Sequence, residues 1–206
     1  MINKKVMIIV ICVLIIIAFV LANKIQRRER PAEFANLSES DLQTSNPQKE
    51  YLIINVTPPK NHEVAVTGWL LAGGAASAEI GKAAVLPRQG QINEETSVII
   101  TQPARLIISS GESPLGISFR ENKCSGLLET FQKFTPPLNH ACSDCKQNSS
   151  EYPEYNACVD KHKSETNFFS NTWRIYLASE TELWRNNLEV IRLYDQQKKL
   201  IDTLRY

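Results

Sequence analysis

The chain has 206 residues, 43% of them hydrophobic, with 23 Lys and Arg against 22 Asp and Glu; this leaves room for about one domain once an apolar N-terminal segment is set aside. The charge is unevenly spread: Met1–Arg30 holds six of the basic residues and one of the acids, so the remainder is formally −4. A mildly acidic body is a poor match to a phosphate backbone, and nucleic acid is not an expected partner.

Val6–Ala22 reads VMIIVICVLIIIAFVLA, an unbroken apolar run of 17 residues. A bilayer-spanning helix needs roughly 17–25 such residues. The run exceeds the usual core of a cleaved signal, which favours an uncleaved signal anchor over residues 1–22 rather than cleavage after Val20-Leu21-Ala22. Lys24, Arg27, Arg28 and Arg30 follow the run and, by the positive-inside rule, pull the rest of the chain toward the cytoplasm. The leading Lys4-Lys5 and the even number of cysteines beyond the run point the other way. The expected placement is a single-pass cell-membrane protein, the membrane its first partner, with its domain extracytoplasmic.

Residues 23–49 are polar and lack apolar periodicity, as a flexible stalk would. The domain is expected to occupy residues 50–206. Tyr51–Val56 (YLIINV) is a strand, Thr57–His62 a breaker-rich turn, and Val64–Leu71 (VAVTGWLL) a second strand with Gly68 as a bulge. Gly73–Ala78 is loose and Ala83–Pro87 a weak strand. Val98–Thr101 and Arg105–Ser109 are strands around a Pro103 turn. Between residues 120 and 171 the alternation lapses, which marks an insertion. Two short helices are expected in it, Leu127–Phe134 and Glu154–Lys163. The second places Tyr155, Cys158, Val159 and His162 on one face at i, i+3, i+4 and i+7. Strands return at Trp173–Leu177, Leu188–Tyr194 and Leu200–Tyr206, the last two joined as a hairpin across Asp195–Lys199. Short strands between Pro and Asn turns predict a mainly β chain, a mostly antiparallel sandwich.

The series EYLIINV, TGWLL, RLIIS and LEVIRLYDQQKKLIDTLRY resembles the lamin-tail domain family. The family's opening Glu-Tyr is matched by Glu50-Tyr51 and its Gly-Trp strand by Gly68-Trp69. Its closing hairpin is matched by Ile201-Asp202 and Tyr206, although Gln197-Lys198 stands where the family usually places a glycine. SPLGISFRENKC, FQKFTPPL, YNACVDKH and NTWRIYL are similar to segments of small membrane-anchored bacterial lamin-tail-like proteins. The resemblance implies an immunoglobulin-like sandwich over residues 50–110 and 173–206. It also implies a tethering or adaptor role at the cell envelope, with a protein or envelope polymer as partner.

Cys124, Cys142, Cys145 and Cys158 form the one chemical cluster. In an oxidising compartment four cysteines in a strand-poor insertion imply two disulfides, each contributing about 2–4 kcal/mol. Of three connectivities, Cys124–Cys142 with Cys145–Cys158 is favoured, with a bridge inside Cys142-x-x-Cys145 next. The rival is zinc: Cys142, Cys145, Cys158 and His162 follow a C-x2-C-x12-C-x3-H spacing, with Cys158 and His162 one helical turn apart and His140 nearby. Export favours the disulfides. A thiol oxidoreductase using Cys142-x-x-Cys145 lacks the surrounding βαβ pattern.

His62, in a turn, and His140, in a loop, read as solvated. No Gly-x-Ser-x-Gly, His-Glu-x-x-His or phosphate-cradling loop is present. Trp69, Trp173 and Trp184 fit core packing. Asn36, Asn55 and Asn148 each begin a glycosylation triplet. Neither catalytic residues nor a cofactor are expected. The anticipated function is non-enzymatic binding or structure, with a metal-binding or thiol-active envelope protein as the alternative.

Overall fold

A computed structural model of the chain describes residues 34–38, 41–142 and 154–206. The apolar run Val6–Ala22, residues 23–33 of the expected stalk, Cys145 and Asn148 lie outside the described residues. Among the described residues no helix is long and apolar enough to cross a membrane.

The described residues form eleven strands in three sheets. They are β1 Ala35–Ser38, β2 Tyr51–Val56, β3 Val64–Ala65, β4 Leu70–Ala72, β5 Ser77–Glu79, β6 Ile99–Ile100, β7 Ala104–Ser109, β8 Phe119–Asn122, β9 Phe169–Tyr176, β10 Val190–Tyr194 and β11 Leu200–Arg205. A 3-10 helix covers Ser125–Thr130 and one α-helix, α1, covers Tyr155–His162. The larger sheet runs β1-β2-β7-β9-β8, the second β11-β10-β4-β5, and β3 pairs β6 in a short ribbon.

Strand alternation decides what lies between the two larger sheets. Leu52, Ile54 and Val56 of β2 share one face with Leu106 and Ile108 of β7 and with Trp173 and Ile175 of β9. Those side chains join Leu71, Ile191, Leu193 and Ile201 of the second sheet in one buried cluster, closed by Trp69 and Trp184. The result is the layering of a β-sandwich, with all three tryptophans packed in its core. The opposite face of β9 and β8 carries a second cluster, built on Phe119, Leu128, Phe134, Tyr155, Val159 and Phe168. The insertion therefore has a core of its own, seated on the back of the larger sheet.

Four expectations need correction. The polar stalk was to end at Lys49, yet β1 pairs with β2 from Ala35↔Val56 to Ser38↔Ile53, and Leu37 and Leu42 are buried. A four-residue strand with one large apolar side chain is too short to show a period. The single strand expected at Val64–Leu71 is two, β3 and β4, because Gly68 takes φ +86° and Trp69 N–H donates to Val66 O at 3.1 Å. That backbone conformation suits glycine. The supposedly loose Gly73–Ala78 is the β4–β5 turn running into β5, with Gly73 N–H bonded to Ala76 O at 2.8 Å. Finally, β8 and the start of β9 fall inside the expected insertion, and β7 runs parallel to β9 in register Arg105↔Thr172 to Ser109↔Tyr176.

Two carboxylates work as struts between segments. Glu50, wholly buried, accepts from Leu183 and Trp184 N–H at 2.8 and 3.2 Å; burial pushes its pKa up despite those bonds. Burial also acts to raise Glu189, but hydrogen bonds from Gly74, Val190 and Arg185 N–H outweigh it and hold this carboxyl below its usual range.

The closing hairpin β10–β11 turns through Lys198 at φ +62°, with Asp195 Oδ1 accepting from Gln197 and Lys199 N–H at 2.9 and 2.8 Å. Asp202 on β11 then reaches the other sheet: Leu37 N–H of β1 donates to its Oδ2 at 2.7 Å. Asp202→Ala is expected to cost about 1–2 kcal/mol, since a hydrogen bond to a charged group contributes roughly 1.5–3 kcal/mol and water recovers part of it. Urea unfolding of the two proteins measures this, and an unchanged midpoint would refute the sheet-to-sheet strut.

Candidate functional site

α1 is short and lacks a side-chain N-cap bond, so tertiary contacts must hold it. Tyr155, Cys158, Val159 and His162 form its buried face, as the i, i+3, i+4, i+7 spacing predicts. Its outer face is tied to the segment after Ala84. Asn156 Oδ1 accepts from Gln89 N–H at 3.0 Å and its Nδ2 donates to Gln89 O at 2.9 Å. Arg88 pairs with Asp160 at 2.8 Å, which with Lys163 holds that exposed carboxyl below its usual range.

Asn122, at the end of β8, organises the facing side. Its N–H donates to Ser125 Oγ at 2.8 Å, its Oδ1 accepts from Cys124 N–H at 2.9 Å, and its Nδ2 donates to Tyr155 Oη at 2.8 Å. Tyr155 O–H donates in turn to Pro87 O at 3.1 Å. This buried knot holds Cys124 against α1, and Cys124 is disulfide-bonded to Cys158 with Cα atoms 5.9 Å apart. The favoured pairing of Cys124 with Cys142 is therefore overturned. With four cysteines the spacing allowed three connectivities, and the choice is made by the docking of α1 over the 3-10 helix. Cys142 is disulfide-bonded as well.

The bridge is not isolated. The sulfurs of Cys142 and Cys158 and a ring nitrogen of His162 all lie within 4.8 Å of one another. His162 is 4% exposed, and its Nδ1–H donates to Glu165 Oε1 at 2.6 Å. Glu165 also takes Lys123 Nζ at 2.9 Å, and Lys123 lies 3.5 Å from His162 Nδ1. The hydrogen bonds from His162, then Lys123, hold Glu165 below the usual carboxylate range. Three members of the zinc alternative, Cys142, Cys158 and His162, thus come together, while Cys145 lies outside the described residues. His140 is elsewhere: exposed, with Nε2 2.8 Å from Glu129 Oε2. His62 is exposed and bonded to Lys60 O at 2.9 Å. Asn36 and Asn55 sit directly opposite one another in the β1–β2 register.

Burial pushes the Tyr155 phenol up to about 12, against a hydrogen bond from Asn122 that acts to lower it. The raised value lies above the ordinary phenol pKa of about 10, so the stabilisation is complete below pH ~10 and is lost as pH rises through about 12. Tyr155→Phe is expected to cost about 1–3 kcal/mol at neutral pH by orphaning Asn122 Nδ2 and Pro87 O. It should also flatten the loss of stability on the alkaline side. Unfolding curves at pH 7 and at alkaline pH check both; a variant as stable and as alkali-sensitive as the parent would contradict the knot.

A buried ion pair between β8 and β9 was missed in the sequence. Arg174 of β9 is 1% exposed and its Nε donates to buried Glu121 of β8 at 2.6 Å. Its two other nitrogens donate to Pro136 O and, at 2.8 Å, Pro137 O. The available signal was an arginine inside the apolar strand TWRIYL and a glutamate inside FREN. An open cleft of about 400 Å³ lined by Lys82, Glu95, Glu112 and Tyr176 shares no residue with the cysteine cluster. Comparison with known proteins finds no matching family model and no match among curated proteins.

Proposed function

We propose that this chain is a membrane-anchored, extracytoplasmic binding or structural module, non-enzymatic, with an immunoglobulin-like, lamin-tail-like sandwich that serves as a tether or adaptor at the cell envelope. The observation that carries the reading is the buried Cys124–Cys158 bridge, because such bonds form and persist in oxidising compartments and are rare in the cytosol. The apolar run Val6–Ala22 supplies the anchor. The resemblance of Glu50-Tyr51, Gly68-Trp69 and the Ile201–Tyr206 end to the lamin-tail family supports the finer fold, and the tether role follows from it by analogy.

Two reporters fused after Tyr206 of the full chain test the placement. A reporter that matures only outside the cytoplasm is expected to be active, and protease added to intact cells should remove it. Activity of the cytoplasm-only reporter would overturn both the topology and the role built on it.

A further inference from the structure

The bridge, the second bonded cysteine and the histidine occupy one small volume, and disulfide formation is not the only chemistry open to that donor set. Two disulfide sulfurs, of Cys142 and Cys158, and an imidazole nitrogen lie within 4.8 Å of one another, and a third sulfur, that of Cys124, is bonded to Cys158. Zinc–sulfur distances of about 2.3 Å place the donors of a tetrahedral site roughly 3.8 Å apart, a spacing compatible with the 4.8 Å limit within which Cys142, Cys158 and His162 lie. We propose that in its reduced form this cluster is a Cys3His zinc site formed by Cys124, Cys142, Cys158 and His162, so that oxidation and metal binding compete for the same sulfurs. This donor set takes Cys124 in place of the Cys145 of the C-x2-C-x12-C-x3-H spacing, because Cys124 is the sulfur that α1 holds against Cys158.

The surroundings of His162 match such a site. Metal-bound histidine donates its other ring N–H to a carboxylate, which fixes the tautomer and turns the remaining lone pair to the metal. His162 Nδ1 donates to Glu165 at 2.6 Å, and Lys123 at 2.9 Å holds that carboxylate in place. Three thiolates around Zn²⁺ leave a net negative charge, and the Lys123 ammonium 3.5 Å from the imidazole offsets it. Cys158 and His162 sit on a helix pinned by Asn156 and Arg88, and Cys124 is pinned by Asn122, so three donors are positioned before any metal arrives.

The exchange balances. A dithiol reductant gives two electrons and two protons to each bridge and becomes a disulfide; each bridge becomes two thiols. Zn²⁺ then binds three thiolates and the neutral imidazole, and three protons pass to solvent. In reverse, a disulfide-bearing oxidant takes two electrons from Cys124 and Cys158, and the metal leaves. Because the site is defined on the chain itself, it stands or falls independently of the membrane side on which the domain resides.

The test titrates Co²⁺, then Zn²⁺, into the purified full chain, oxidised and dithiol-reduced, without oxygen. The reduced chain is expected to take up about one Co²⁺ with the thiolate charge-transfer and tetrahedral ligand-field bands, displaced by Zn²⁺, and the oxidised chain none. Cys142→Ser and His162→Ala should weaken binding about tenfold or more. Glu165→Gln should keep the tetrahedral bands at about 10- to 100-fold lower affinity, the behaviour of a positioning residue. His162→Cys keeps four donors and should retain the metal with a shifted, all-thiolate spectrum, which separates loss of a ligand from loss of fold. Cys145→Ser should leave affinity unchanged. Absence of stoichiometric binding to the reduced parent, or binding abolished by Cys145→Ser and untouched by Cys124→Ser, overturns the proposal.

Discussion

Arg174→Met is expected to destabilise the domain by about 3–5 kcal/mol, the largest effect anticipated for a single side chain outside the apolar core. The reason lies in what the substitution leaves behind. Glu121, 3% exposed, would keep a buried charge without its cation, and the Pro136 and Pro137 carbonyls would lose their donors. Arg174→Lys should recover only part of the loss, because an ammonium on a flexible stem cannot reproduce a planar fork that reaches three acceptors. Removing both partners together, as Arg174→Met with Glu121→Leu, should cost much less than the sum of the single changes, since no unpaired charge remains. Urea unfolding of the four proteins measures the coupling. A loss under about 1 kcal/mol for Arg174→Met, or simple additivity in the double variant, would show that the pair is not the clamp described.

Removing the Cys124–Cys158 bridge by Ala at both positions should cost about 4 kcal/mol. The closed loop spans 34 residues, and the chain-entropy relation places a loop of that size between the roughly 3 kcal/mol of a short loop and the nearly 5 of a long one. Both sulfurs are fully buried, and alanine leaves a small cavity rather than a stranded polar group. The loss should be local first. Amide exchange in Ser125–Thr130 and Tyr155–His162 is expected to accelerate before that of β2 and β7, which belong to the first core. Equal acceleration throughout, or an unchanged midpoint, would contradict a bridge that closes a separate core.

Much of the first core was legible in the chain. Tyr51–Val56, Ala104–Ser109, Val190–Tyr194 and Leu200–Arg205 are five or six residues long and carry enough apolar side chains to declare a strand, and each is one. The buried face of α1 was legible for the same reason: four side chains at helical spacing outweigh a weak cap. What escaped depends on partners far along the chain. β8 reads FREN, and two charged residues argue against a buried strand until Arg174, 53 residues away, supplies the partner for Glu121. β1 and β5 are three or four residues long and gain their definition from the strands beside them. The cysteine partners escaped because spacing cannot choose among three connectivities; the choice belongs to the packing of Val159 and Phe168 against Leu128.

The parallel register of β7 and β9 gives the intervening segment a duty beyond carrying cysteines. Antiparallel neighbours can be joined by a two-residue hairpin, whereas parallel ones require a crossover of a dozen residues or more. The chain from Ser110 to Phe168 is that crossover: it must return from the end of β7 to the start of β9 before the third and fourth strands of the larger sheet can meet. It cannot be excised to a tight loop without reversing the direction of β9. Loop-closure entropy for so long a connection has to be met before the pairing rewards it. A domain reduced to its two sheets would be not a smaller version of this fold but a different topology.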